Sequence, residues 1–326
     1  MPASAFTRPI LVLGATGGFG LAVTRALIAA GARVRALVRD EARARRALGE
    51  DAPRVELRVG DALQAADVSR AAEGCSHLVH AINVPYPEWD TVMERVTTNV
   101  IAAARAQRAT IVFAGNVYNL APRYDVPLSE AHPEGPITHK GQLRMRMEHA
   151  LRDATQTGDV RVLVVRANDY FGPTVRNGGV DPMFLNALAR KPLLTLTDPS
   201  RAHEMAYVPD VARATVALMG LTDGPAFDVV HVRGFVTPTS RDFLEAVARV
   251  AGVPARVRRL PWWLIRLGGL FNGMAREVVE MRYLFENTLL LDDATLKRRV
   301  PDFTYTPLEQ ALRDTLESYR HHASRA

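Results

Sequence analysis

The residues whose spacing most directly implies chemistry are the glycines of Gly14-Ala15-Thr16-Gly17-Gly18-Phe19-Gly20. They follow a short apolar run, Pro9 to Leu13, and open an alanine-rich stretch, Leu21 to Ala30, that reads as a helix stopped by Gly31. A strand–turn–helix with this spacing suits a diphosphate. Gly14 permits the tight turn, Gly17 lets the backbone approach a pyrophosphate, and Gly20 lets the helix pack closely on the sheet. Thr16, Gly18 and Phe19 complete a loop whose helix N-terminus offers free N–H groups and partial positive charge to an anion. The second candidate lies at the end of the next strand, Val34 to Val38. An acidic residue there would accept hydrogen bonds from a ribose 2′-hydroxyl. Here the strand runs into Arg39, which suits a 2′-phosphate through charge-assisted contacts. The expected cofactor is NADP, with NAD left open because Asp40 could reach the ribose. Arg35 reads either as a supporting cation or as a cover for the sheet edge.

These groups need a rigid sheet behind them, and the first half of the chain supplies one. Further strands are expected over Val55 to Val59, His77 to Val84, Thr110 to Ala114 and Arg161 to Arg166. Helices are expected between them, at Glu41 to Leu48, Asp67 to Glu73, Trp89 to Gln107 and Gly141 to Ala154. Short apolar strands alternating with helices imply a parallel sheet covered on both faces, the Rossmann-type doubly wound α/β fold. Beyond residue 166 helices dominate, with one more strand at Phe227 to Val232. The expected organisation is a dinucleotide-binding domain over 1–166 and 202–232, and a smaller, mostly helical substrate lobe over 167–201 and 233–326.

Bulk properties exclude several classes. The chain has 326 residues, a net charge of +6 and a single cysteine, Cys75, which cannot form an internal disulfide and reads as a buried thiol in a reducing, cytoplasmic setting. The arginines are scattered and no basic stretch is interleaved with aromatics, so nucleic acid is not an expected partner. No run is long and apolar enough to span a membrane, and Met1 to Arg8 carries no leader pattern. No His/Cys/Asp/Glu spacing suggests a metal. The expected partner is a small-molecule substrate, and a homodimer is left open.

With these elements in place, the chain resembles the short-chain dehydrogenase/reductase superfamily, in its extended or atypical branch of epimerase/dehydratase-like proteins. The Gly14-x-x-Gly17-x-x-Gly20 spacing is that branch's form. The resemblance implies that Asp61 and Ala62 meet the adenine, that Ala81, Ile82 and Asn83 line the cofactor, and that Asn99 braces the sheet. Val117-Tyr118, Arg166, Tyr170-Phe171-Gly172-Pro173 and Tyr207-Val208-Pro209-Asp210 also match its segments.

The same resemblance implies a tyrosine, a lysine four residues later and a serine or threonine. Aligned on Val117-Tyr118 and Glu148, those positions hold Lys140, Arg144 and Ala114, with no phenol; no Tyr-x-x-x-Lys occurs in the chain. Arg144 can hold a ribose hydroxyl or a phosphate. Lys140 is a candidate proton carrier, since a second positive charge one helical turn away favours release of its proton. Asn116 can polarise a carbonyl, and Tyr118 can supply a phenol or simply pack. The basic helix face carrying Lys140 and Arg144 reads equally as solvated surface.

In the second lobe, Pro261 to Phe271 is unusually apolar and is expected to pack in the core or against another subunit rather than on a membrane; Met274, Val278 and Met281 continue it at helical spacing. With Met183 and Phe184 they suggest an apolar substrate pocket. The leading expectation is an oxidoreductase acting on a small carbonyl or activated alkene with a non-standard proton donor. The alternatives are a catalytically silent NADP-binding regulator or sensor, and an NAD-dependent nucleotide-sugar epimerase/dehydratase.

Overall fold

The computed structural model describes residues 6–176 and 179–323. Met1 to Ala5, on which most of the leader reading rests, lie outside the described residues. The main sheet has seven strands: β1 (Ile10–Leu13), β2 (Val34–Val38), β3 (Val55–Val59), β4 (His77–His80), β5 (Thr110–Gly115), β6 (Arg161–Arg166) and β7 (Phe227–His231). Their spatial order is β7-β6-β5-β4-β1-β2-β3, and every neighbouring pair is parallel. The Rossmann-type fold expected from strand–helix alternation is therefore present.

The strand sequences explain their places. All four side chains of β1 are fully buried, because a central strand has helices on both faces. β3 is one of the two edge strands, and its exposed Glu56 and Arg58 discourage pairing with another chain. The fourth strand stops at His80, short of the expected Val84. Ala81 still donates to the Leu13 carbonyl, and the chain then leaves the sheet.

Helix α1 (Gly18–Ala29) covers one face and packs against α7 (Val208–Met219). The opposite face carries α3 (Ala65–Ala72), α4 (Trp89–Gln107) and α5 (His139–Ala154), each against the next; α2 (Glu41–Leu48) follows β2. Two apolar layers result, one on each side of the sheet. Cys75 is fully buried and its thiol is pushed up by burial, although the Arg35 guanidinium lies 3.6 Å from Sγ.

The strand order reverses between β1 and its two neighbours, so crossovers leave in opposite directions there. A crevice opens outside the C-terminal ends of β1 and β4 at such a switch point. Over that end sits the C-terminal lobe. It contains α6 (Asp181–Leu188), α8 (Ser240–Ala251), α9 (Trp262–Gly268), α10 (Gly273–Glu280), α11 (Arg282–Glu286), α12 (Ala294–Arg299) and α13 (Leu308–Ala323). A three-stranded sheet of Asp169–Phe171, Glu204–Tyr207 and Phe235–Val236 joins it to the main sheet. Asp210, whose sequence position suggests a helix cap, lies inside α7 and is buried. It accepts from the Thr306 amide and hydroxyl and so pins the segment leading into α13.

Candidate cofactor cleft and active site

One cleft of about 1360 Å³ runs from the glycine turn across the strand ends to the C-terminal lobe. At its start, Gly14 has φ of +88°, and a side chain there would meet the Ala81 carbonyl oxygen at 2.6 Å. Gly20 sits beneath the turn, where a Cβ would collide with the Gly14 carbonyl. Gly17 is different: an added Cβ would only touch Gly14 O at 3.4 Å, so its glycine keeps the turn's outer surface bare rather than relieving a clash. Gly14, Thr16, Gly17, Gly18 and Phe19 all line the cleft. The α1 amides begin a helix and have no preceding turn to bond to, which leaves them for a ligand.

Arg39 lines the cleft at the end of β2, exposed and without a hydrogen bond or ion pair among the described residues. Asp40 is engaged: its carboxylate accepts from the Arg43 amide at 2.9 Å and caps α2. Arg35 does not support Arg39. Its guanidinium pairs with Glu56 and donates to the Ala71 and Glu73 carbonyls at the end of α3. Asp61 and Ala62 line the cleft after β3. Asp61 Oδ1 accepts from the Leu63 amide, and Asn99 braces this loop by donating to the Ala62 carbonyl at 2.8 Å. Ala81, Ile82 and Asn83 form the wall where the chain leaves β4.

Further in, Ala114, Asn116, Tyr118 and Arg144 share the cleft wall. The Asn116 side-chain carbonyl accepts from the Tyr118 amide, leaving its NH₂ for a ligand. The Tyr118 hydroxyl meets the Tyr86 hydroxyl at 2.9 Å, and burial pushes the Tyr118 phenol well above its ordinary range. It is thus a neutral hydrogen-bond donor, held against Trp89.

Arg144 is buried, donates to the Ala114 carbonyl at 3.1 Å and lies over the Trp89 and Phe113 rings. Glu148, one turn further on, pairs with Arg166 instead. No carboxylate among the described residues lies within ion-pair distance of Arg144, its Nε has no partner, and burial lowers its pKa from the ordinary guanidinium range. The nearby Tyr170 hydroxyl is also buried without a partner. A buried guanidinium with no ion-pair partner and an unpartnered Nε, lining a cleft, is costly unless a ligand completes it. These orphaned groups and the bare glycine turn fit a nicotinamide dinucleotide, with the turn on the diphosphate and Arg144 on ribose or phosphate oxygens.

Lys140 departs from the sequence reading. It does not line the cleft. It is buried, pairs with Glu277 and with Glu280 at 2.6 Å, and lies over the Tyr86 ring. The expectation rested on a neighbouring positive charge; two carboxylates face the ammonium instead. Lys140 fastens α5 to α10. The apolar stretch in the second lobe is only partly packed within the chain. Trp262 and Met281 are buried, but Trp263, Leu267, Leu270 and Phe271 are 64%, 51%, 73% and 89% exposed. Ile265, Met274 and Val278 line the cleft mouth.

The match to known proteins spans the sequence and the fold. A model of the NAD dependent epimerase/dehydratase family matches residues 10–232. The chain belongs to that family.

Within it, sequence relatives are distant. A Rickettsia conorii protein named UDP-glucose 4-epimerase is 26% identical over 204 residues, covering 59% of this chain and 57% of that one. An uncharacterised Sinorhizobium fredii protein is 23% identical over 266 residues, 74% of this chain and 72% of that one. The fold agrees over nearly the whole length. The UDP-glucuronic acid 4-epimerase of Bacillus cereus, solved with NAD, superposes with a TM-score of 0.78 at 16% identity, covering 96% of this chain and 99% of that one. The dTDP-glucose 4,6-dehydratase DesIV of Streptomyces venezuelae, solved with NAD, gives 0.77 at 17% identity, covering 97% and 98%. The family model together with these shared folds supports an extended short-chain dehydrogenase/reductase-like branch. They favour the epimerase/dehydratase alternative over a general oxidoreductase. Among the described residues no helix is long and apolar enough to cross a membrane, and no cluster of three or more metal-ligating side chains occurs.

Two groups escaped the sequence reading. Tyr86 opens a short 3₁₀ turn, Tyr86–Glu88, held between Pro85 and Pro87 after β4. Asp169 lies just past the end of β6, and its position at a strand's C-terminal end was the available signal.

Proposed function

We propose that this family member binds a nicotinamide dinucleotide in the cleft, with NADP preferred, and exchanges a hydride with a carbinol or carbonyl carbon of a small-molecule substrate. The observation that carries this reading is the continuity of one cleft from the bare glycine turn, past the unpartnered Arg39, to the uncompensated Arg144. The bound nicotinamide supplies the redox chemistry; the protein supplies position and electrostatics. The turn amides hold the diphosphate, Arg39 meets the 2′-phosphate, Asp61 receives the adenine end, and Arg144 fixes the nicotinamide ribose. Asn116 and Tyr118 donate to the substrate oxygen, as groups that stabilise developing negative charge do.

A second reading is the nucleotide-sugar epimerase or dehydratase, favoured by the family and by the names of the relatives. It requires oxidation and re-reduction within one site, with no net consumption of cofactor. The missing phenol–lysine pair favours a third, a dinucleotide-binding sensor without turnover. The test is to incubate the protein with each reduced dinucleotide and a panel of ketones, and separately with UDP-glucose. Net NADPH oxidation supports the leading reading. Sugar interconversion without net absorbance change supports the second. Binding with neither supports the third.

A further inference from the structure

The proton that accompanies a hydride transfer needs a carrier, and Lys140 is not in the cleft. The C-terminal half of the cleft contains a histidine–carboxylate pair built by strand pairing. Asp169 opens the strand Asp169–Phe171, and its parallel partner Glu204–Tyr207 sets Met205 across from it. His203, two residues before Met205, points to the same side of the chain. His203 Nε2 lies 2.8 Å from Asp169 Oδ2, and both residues line the cleft with Met205. His203 is 8% exposed, and its Nδ1 makes no hydrogen bond to any described residue. Asp169's charge acts on the Tyr86 and Tyr118 phenols, which places the pair beside the inner end of the cofactor site.

The surrounding wall specifies the ligand. It is apolar at Leu194, Leu196, Leu260 and Phe285 and polar at Thr197 and Ser240. Arg176 lines this half too; its guanidinium donates to the Pro173 and Val175 carbonyls and the Ser318 hydroxyl, and its buried Nε has no partner. Asp169, facing the cleft beside His203, would repel a substrate diphosphate placed there.

We propose that His203, oriented by Asp169, accepts and returns the substrate proton for an uncharged, lipophilic secondary alcohol or ketone. The inference rests on the dinucleotide reading above. In the oxidising direction the alcohol O–H bond breaks and its proton goes to His203 Nδ1. The carbinol C–H bond would break at the same time as the C=O double bond forms, with its hydrogen and electron pair taken up by the oxidised dinucleotide that the cleft would hold. In the reducing direction the proton returns from Nδ1 to the oxygen. Asp169 is a positioning residue: it keeps the imidazole proton on Nε2 and leaves Nδ1 bare.

The experiment uses the full chain with whichever dinucleotide binds, and acetophenone, decan-2-one and UDP-glucose as probes. The ketones are expected to be reduced and UDP-glucose left unchanged. His203→Ala lowers kcat roughly 100-fold or more while dinucleotide affinity stays within about twofold, and added imidazole restores part of the rate. His203→Asn replaces it if the alanine variant loses its fold. Asp169→Asn lowers kcat without raising KM. Nitrogen-15 spectra of the binary complex show the His203 proton on Nε2. Undiminished kcat in both His203 variants, a proton found on Nδ1, or binding of dinucleotide with no ketone reduced would overturn the proposal while leaving the cofactor reading intact. Failure to bind either dinucleotide would overturn both.

Discussion

Single residues decide cofactor choice. Arg39 has no partner in the protein, so its removal costs the fold little and should be felt only by a ligand that carries a 2′-phosphate. Losing a charge-assisted hydrogen bond of about 1.5–3 kcal/mol corresponds to roughly a 10- to 100-fold weaker complex. Arg39→Ser is therefore expected to weaken NADPH by that factor and leave NADH unchanged, as measured by fluorescence titration. Equal weakening of both, or of neither, removes Arg39 from the 2′-phosphate. The glycine turn and Arg39 were legible in the sequence, because each sits at a strand end or helix start that local pattern fixes; Asp61, the Ala81 segment and Arg144 were implied by the family resemblance, and all of them line the cleft. Lys140 was not. Its helix position was read correctly, but its partners Glu277 and Glu280 come from α10 far along the chain, and no local pattern announces such a pair. The Asp169–His203 contact was hidden for the same reason: a strand pairing between distant segments creates it.

At the scale of elements, the β–α alternation was readable because parallel strands are apolar on both faces. The two- and three-residue strands of the C-terminal lobe were not, since tertiary pairing rather than intrinsic pattern makes them. The segment around α9 carried an apolar pattern that sequence alone assigned to packing, yet much of it faces outward and the rest borders the cleft. The opening β1–α1 unit separates stability from binding. Gly14→Ala forces a side chain to positive φ and against the Ala81 backbone; a destabilisation of about 1–3 kcal/mol is expected, read as a lower thermal midpoint. Gly17→Ala meets no such clash. It should leave the thermal midpoint of the free protein nearly unchanged and lower dinucleotide affinity at least about tenfold, because a methyl group then stands where a diphosphate must approach. A Gly17→Ala variant that binds normally would show that the turn does not hold the diphosphate.

The whole molecule carries buried titratable groups whose effects on stability oppose one another. Burial, reinforced by Arg8 for His77 and by Arg144 for His80, pushes these histidines down from 6.5 to about 4 and about 3. Burial lowers His231 as well. The unfolded chain binds protons that the native one refuses, so stability is full above pH 6.5 and falls as pH drops toward 4. His80, essentially inaccessible, contributes about 3 kcal/mol of this loss by pH 4. Glu204 acts the other way. Burial raises it from 4.5 to about 7, against the Gly234 and Leu291 amides that favour its charge. Its contribution is complete below pH 4.5 and is lost as pH rises through 7. Melting curves of the wild type should therefore decline on acidification from pH 6.5 to 4. Glu204→Gln should steepen that decline, because the opposing Glu204 contribution between pH 4.5 and 7 is removed. Parallel pH profiles for the two proteins would refute the assignment to Glu204.

The central claim is that the mouth of the first β–α unit, Arg39 and Arg144 together form one dinucleotide site. Isothermal calorimetry of the purified chain with NADPH and NADH tests it most directly. The expected result is one molecule bound per chain, with NADPH tighter than NADH and a difference that shrinks in Arg39→Ser. No heat of binding with either dinucleotide, under conditions where the chain melts as a folded protein, would contradict it.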